Sequence, residues 1–164
     1  MHILTQKGWM YMDHVDNATV QRVWQRVKAP STQTQPASDR SGQLSERILE
    51  EWQTLRRYMA LQGQAEYRNN PELKNMIEQK QTQLACLKGI YRLSANAPCK
   101  IPAVAPKQEP PAVMLRKCYG SLLRCGGVYG SAMGQPEYGG TYGLLAEQNR
   151  RQAYTILAFL GGIK

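Results

Sequence analysis

Apolar residues recur at helical spacing in four long segments of the chain, which predicts four amphipathic helices. Residues three or four positions apart share one face of an α-helix, so such a seam marks the side that is buried. The predicted helices cover residues 44–62, 71–93, 112–133 and 138–160. In chain order their seams are Leu44, Ile48, Trp52, Leu55 and Met59; Leu73, Ile77, Lys80, Leu84, Leu87 and Tyr91; Leu115, Cys118, Leu122, Cys125 and Tyr129; and Tyr142, Leu145, Asn149, Gln152, Ile156 and Leu160. The pattern favours an all-α fold.

The chain before the first of these helices is expected to form an extension over residues 1–43. Residues 30–43 are rich in proline, serine, threonine and glutamine, a composition typical of a linker. The four-helix region, residues 44–164, then forms a single domain. A short amphipathic helix is also predicted over residues 18–28, with an apolar face of Val20, Val23, Trp24 and Val27.

A proline-rich segment, residues 94–111, separates the second predicted helix from the third. Its prolines exclude helix and central strand. An extended chain advances about 3.1 Å per residue, so this segment can run along a bundle of roughly 30 Å. The third helix is therefore expected to begin at the end of the bundle opposite to the one where the second helix stops.

The two halves of the helical region repeat each other weakly. Glu51 precedes Tyr58 by seven residues, and 71 positions later Leu122 precedes Tyr129 by the same interval. A stretch of the second helix that begins at Lys80 matches a stretch of the fourth helix at a lag of 69. Two helix pairs therefore follow one another in the sequence.

This arrangement resembles the rubrerythrin-type branch of the ferritin-like superfamily, as found in small bacterial proteins. The resemblance covers residues 44–160 and also rests on Leu87-Lys88-Gly89-Ile90-Tyr91, Leu115-Arg116-Lys117-Cys118-Tyr119 and Pro136-Glu137-Tyr138. It implies a four-helix bundle with one long crossover connection. In that family a Glu from each of two helices and Glu-x-x-His from each of the others hold two iron or manganese ions. The family's activities are peroxide reduction, oxygen chemistry and iron oxidation.

Most of the positions that the resemblance assigns to metal ligands hold other residues here. A protonated lysine has no lone pair, amides offer only neutral oxygens, and both histidines, His2 and His14, precede the helices. We therefore expect no bound metal and a non-catalytic structural or interaction protein. The alternatives are a divergent iron or manganese protein that binds through Glu51, and a misassigned helix face on which the polar residues are ordinary. The six positions are Glu51, Lys80, Gln83, Leu122, Asn149 and Gln152, with Tyr58 and Tyr129 as core tyrosines beside them.

A buried carboxylate without a partner is costly, so Glu51 needs a compensating charge. Lys80 lies on the inner seam of the neighbouring helix and is expected to neutralise Glu51. Asn149 and Gln152 are expected to satisfy the remaining hydrogen bonds. The equal spacings in the two halves also predict that Tyr58 and Tyr129 are related by an approximate two-fold axis.

The formal net charge of +9 raises the hypothesis of a basic nucleic-acid or anionic-surface binder. The basic residues are spread singly or in pairs with acids between them, and no nucleic-acid motif occurs. A solvated basic surface is therefore expected, with no specific nucleic acid as partner. The helix predicted over 18–28 remains the alternative site for an anionic surface, since it is flanked by Arg22, Arg26 and Lys28.

The remaining signals concern thiols and location. Cys118 and Cys125 stand two helical turns apart, about 10 Å, which is too far for a disulfide. Buried free thiols are therefore expected of the cysteines in the predicted helices, Cys86, Cys118 and Cys125. Cys99 falls in the proline-rich connection.

The chain shows neither a secretory signal nor an apolar run of about 20 residues, which predicts a cytoplasmic protein. The resemblance adds a homodimer or an unknown protein as partner. Four residues near the N-terminus could in principle form a surface metal site, but they are expected to be ordinary solvent-exposed residues: His2, Asp13, His14 and Asp16.

Overall fold

In the computed structural model of the chain, the described residues are 37–103 and 107–162, and within them all regular structure is helical. The chain divides into two units, Met1–Thr34 and Gln35–Lys164, and the described residues belong to the second. The helix predicted over 18–28 lies outside the described residues. None of the helices in the described ranges is long and apolar enough to cross a membrane. The helices are α1 (Ala37–Gln62), α2 (Pro71–Ala95), α3 (Pro111–Ala132) and α4 (Gly139–Gly162).

Local signals set the ends of α2. The Asn70 side chain accepts a hydrogen bond from the Leu73 amide at 3.0 Å, and Pro71 occupies the first turn, where its missing N–H costs nothing. Asn96 ends the helix in the left-handed conformation (φ 51°), which asparagine tolerates better than most residues. These ends agree with the bounds predicted from the sequence.

The linker predicted over residues 30–43 is wrong for residues 37–43, because α1 begins at Ala37. The last proline of that segment is Pro36, and no further proline stands between it and the apolar seam. Once the seam has nucleated a helix, adding residues at its end needs no further nucleation. The helix therefore extends back to the point where proline stops it.

The four helices share one core, to which every predicted seam contributes. The α3 seam is buried as predicted, at all five positions. The face of α1 differs: Met59 is 45% exposed, while Tyr58 beside it is fully buried. Trp52 is only half-buried, whereas Glu51 is buried. The buried stripe of α1 thus runs through Ile48, Glu51, Leu55 and Tyr58, one residue away from part of the predicted seam.

The helices contact each other unequally. α1 packs closely on α2 and α3, and α3 packs closely on α4, while α2 and α4 form the loosest of the neighbouring pairs. Long side chains fill the space between α2 and α4. At one end Tyr67, in the loop after α1, packs its ring against Phe159 of α4 with centroids 5.9 Å apart. All four helices contribute buried side chains to the centre of the bundle.

Candidate functional site

A buried ion pair lies between the helices. The side chains of Lys80 and Glu51 are 0% and 2% exposed, and Lys80 Nζ stands 2.6 Å from Glu51 Oε2. Lys80 Nζ also donates to Asn149 Oδ1 at 2.8 Å, and Asn149 Nδ2 donates to Glu51 Oε1 at 2.8 Å. The three side chains close a ring in which the two charges cancel. The predicted pairing of Lys80 with Glu51, supported by Asn149, is confirmed.

The third donor to Glu51 comes from α3. The Tyr129 hydroxyl donates to Glu51 Oε1 at 3.0 Å, so Glu51 on α1 accepts one hydrogen bond from each of the other three helices. Burial, and then the negative charge of Glu51, raise the pKa of Tyr129 well above its ordinary value. The phenol therefore keeps the proton that it donates. Its ring stacks on Tyr142 with centroids 6.0 Å apart.

Gln152 does not join this ring, and the prediction that it would satisfy the ion pair is wrong. Its Oε1 accepts from the Tyr58 hydroxyl at 3.2 Å, and its Nε2 donates to Gln79 Oε1 at 3.2 Å. Gln152 lies three residues, almost a full turn, after Asn149 on α4, so its amide reaches different partners. Gln152 instead links α4 to α1 and α2.

A second amide bond connects the same two helices, because Gln83 Nε2 donates to Gln148 Oε1 at 2.8 Å. The repeat relates this pair to the Gln152–Gln79 pair. Gln148 lies 69 positions after Gln79, and Gln152 lies 69 positions after Gln83. Gln79 and Gln148 are not among the positions predicted from the sequence, although the same lag relates them to each other. The amide bonds join α2 and α4, the loosest of the neighbouring helix pairs.

The tyrosines in the two halves have different partners. Tyr58 donates to Gln152, and by the repeat Tyr129 would donate to Gln83, but it donates to Glu51 instead. Gln83 Oε1 consequently is buried with no hydrogen-bond partner among the described residues. A carboxylate is a stronger hydrogen-bond acceptor than a neutral amide, so the Tyr129 hydroxyl donates to Glu51 rather than to Gln83. The repeat is broken because only one half has an acid at this place.

In the other half that place is taken by Leu122, which is 1% exposed. Near it on α3, burial raises the pKa of the Cys118 thiol to about 12, and burial together with nearby carboxylates raises the pKa of Cys125 further. Both thiols therefore stay protonated and serve as small apolar groups. The expectation of buried thiols is wrong for Cys86, which is exposed because it lies on the outer face of α2; Cys99 is half-buried.

The alternative of a misassigned helix face is contradicted, because the polar residues at the inner positions are truly buried. Lys80 and Asn149 are 0% exposed, and Gln83 and Gln152 are 2% exposed. Their chemistry does not fit a di-metal centre. Glu51 is the only carboxylate among the six positions, and it is already bonded to an ammonium, an amide and a phenol. No group of three or more His, Cys, Asp or Glu in the described ranges is placed to hold a metal ion.

The described part of the chain is thus an all-α, four-helix protein with a neutralised polar network at its centre. No family model matches the chain, and no curated protein or solved structure matches it significantly.

Proposed function

We propose that the protein is a ferritin-like bundle that has exchanged its di-metal centre for an internal ion pair and acts as a structural or interaction protein. The observation that carries this proposal is the position of the Lys80 ammonium. Lys80 Nζ donates hydrogen bonds to Glu51 and Asn149, two residues at positions that the resemblance assigns to metal ligands. The ammonium therefore supplies the positive charge that a metal ion would supply between such ligands. A fixed cation of this kind has no open coordination site and no redox chemistry.

The direction of α3 relative to α1 supports the ferritin-like topology. Glu50 of α1 bonds Arg124 of α3, while the charge of Arg57, further along α1, acts on Cys118, which lies earlier on α3. The two helices therefore run antiparallel. Since α1 and α2 are also antiparallel across a short loop, this direction favours a parallel α2 and α3 joined by the proposed crossover connection. Cys99 and Ile101 of that connection pack against the core.

The polar network supports the internal repeat of the proposal. Lys80 and Asn149 occupy equivalent positions 69 residues apart and bond each other, as two residues near a two-fold axis would. The Gln83–Gln148 and Gln79–Gln152 bonds exchange under the same operation. The two-fold relation of Tyr58 and Tyr129 stays a prediction, which superposition of the two helix pairs tests.

Metal analysis tests the loss of the di-metal centre. Protein purified without chelators is expected to contain iron, manganese and zinc far below one equivalent per chain, and EDTA is expected to leave its melting temperature unchanged. A metal-loaded ferritin-like protein purified in parallel is the control for losses in handling. Stoichiometric metal that EDTA removes with a fall in melting temperature would restore the divergent metalloprotein.

The exposed apolar residues support an interaction role. Most large hydrophobic side chains exposed among the described residues lie on α3, α4 or the turn between them, and exposed apolar residues of this kind are typical of interaction sites. A groove of about 430 Å³ runs between these helices, with glycines in its lining. A second copy of the chain is the proposed partner of this face. The residues are Leu123, Val128, Met133, Leu144, Tyr154 and Leu157.

The oligomeric state over a concentration series tests this role. The unaltered protein is expected to form a dimer, and Leu144→Lys is expected to raise its dissociation constant about tenfold, because a charge enters an apolar contact. Leu93→Lys is the matched control, since Leu93 is 76% exposed on α2 and Leu144 is 68% exposed on α4. Sedimentation velocity provides the measurement. A monomer at all concentrations, or equal weakening by both variants, would contradict self-association through this face.

A further inference from the structure

A second feature, separate from the central network, is a groove of about 380 Å³ on the surface between α1 and α3. This volume lies within the range of roughly 300–1,000 Å³ that is typical of small-molecule sites. Gly120 lies on its floor, and a Cβ there would stand 3.3 Å from Arg124 Nη1. The absence of a side chain at this position keeps the groove open. The charged residues that line it are Arg57, Arg116, Lys117 and Arg124, with Glu46 and Glu50.

The acidic charge of Glu50 is already compensated. Its Oε1 accepts from Arg124 Nε at 2.9 Å and from Arg124 Nη2 at 2.6 Å, and its Oε2 accepts from Arg47 Nη1 at 3.0 Å. One carboxylate thus faces two guanidinium groups. Arg124, at 63% exposure, keeps Nη1 without a hydrogen-bond partner among the described residues. Glu50 therefore positions Arg124 without removing the net positive charge of the groove.

The other end of the groove is more basic. Lys117 pairs with Glu109, whereas Arg57 and Arg116 form no ion pair with any acid in the described ranges. Arg57 also acts on Glu109, which places it near the start of α3. The N-terminus of a helix carries a partial positive charge, and Arg116 and Lys117 lie in the second turn of α3. Arg57 and Arg116 therefore leave positive charge without an acidic partner among the described residues at this end of the groove.

From this arrangement we infer that the groove binds a small phosphorylated molecule with two or more negative charges. Guanidinium forks match phosphate oxygens with two parallel hydrogen bonds, and two such forks are available here. The position between two helices favours a small anion over a membrane surface or a nucleic-acid duplex, which would contact the helix crests. The site is independent of the central ion pair and of the proposed loss of metal.

Isothermal titration of the full chain with inorganic pyrophosphate tests the inference. Saturable binding is expected, and Arg57→Gln/Arg116→Gln is expected to weaken it at least about tenfold, as for the loss of charge-assisted hydrogen bonds. Gly120→Leu is expected to weaken binding as well, because leucine fills the groove without changing its charge. Arg92→Gln is the matched control, since Arg92 is exposed in the last turn of α2 and does not line the groove. Circular dichroism and the melting temperature show that each variant is folded.

Three outcomes would overturn the inference. If pyrophosphate shows no saturable binding, the groove is not a phosphate site. If Arg92→Gln weakens pyrophosphate binding as much as the groove variants do, the binding reflects only the net charge of the protein. Succinate bound as tightly as pyrophosphate would overturn the assignment to phosphate. Sedimentation with phosphatidylserine vesicles, in the absence of pyrophosphate binding, would instead assign the basic surface to a membrane. If Arg57→Gln/Arg116→Gln does not fold, Gly120→Leu decides alone: unchanged affinity in that variant overturns the inference.

Discussion

Replacing Lys80 with methionine is expected to lower the free energy of unfolding by roughly 3–5 kcal/mol. Methionine fills a similar volume, so the loss reflects electrostatics rather than a cavity. Without the ammonium, the Glu51 carboxylate remains buried with only neutral donors, Tyr129 and Asn149, and its charge is uncompensated. Denaturant unfolding at neutral pH, followed by far-UV circular dichroism, provides the measurement.

The pairing itself is tested by adding Glu51→Gln. If the two charges compensate each other, the Lys80→Met/Glu51→Gln protein is expected to be much more stable than the sum of the single losses predicts. The same substitutions in Lys117 and Glu109 form the matched control, because that Lys–Glu pair lies at the surface. Little coupling is expected there, since water and salt screen exposed charges. Additive effects of Lys80→Met and Glu51→Gln would contradict an ion pair that stabilises its own members.

Replacing Leu122 with alanine is expected to cost roughly 2–5 kcal/mol, through lost burial and the cavity that remains. Leu122 is 1% exposed and takes the place that corresponds to Glu51 in the other half of the repeat. An apolar side chain there means that the core holds one carboxylate for one ammonium. A second carboxylate would have left the network with excess negative charge.

Leu93 supplies the control for this change. It is 76% exposed on α2, outside the proposed dimer face, and its replacement by alanine removes the same atoms. Leu93→Ala is expected to change the unfolding free energy by no more than about 0.5 kcal/mol. Chemical denaturation of both variants measures the difference. Equal losses would mean that Leu122 is not part of a tightly packed core.

The central ion pair was predicted because the ferritin-like resemblance places Glu51 inside the bundle and the helical spacing places Lys80 on an apolar seam. Lys80 interrupts an apolar seam, and Glu51 is predicted to face the core on a neighbouring helix, so two opposite charges had to meet or remain unpaired. The hydrogen-bond partners of a neutral amide cannot be predicted in this way, because no uncompensated charge requires a particular partner. Gln152 was expected near Glu51, but its bonds to Tyr58 and Gln79 depend on how far α4 has shifted along its axis.

What the sequence by itself determined is the set of four helices, most of their buried faces and the residues that carry charge into the core. These follow from a helical period of about 3.6 residues, which each segment expresses alone. Only the tertiary structure decided that Met59, which the apolar seam includes, faces outward, and that Tyr129 turns from the amide of Gln83 to Glu51. Neighbouring residues differ by about 100° around a helix, so the rotation of α1 about its own axis decides which of two neighbours is buried. Such rotations are set by packing against the other three helices, which no single segment encodes.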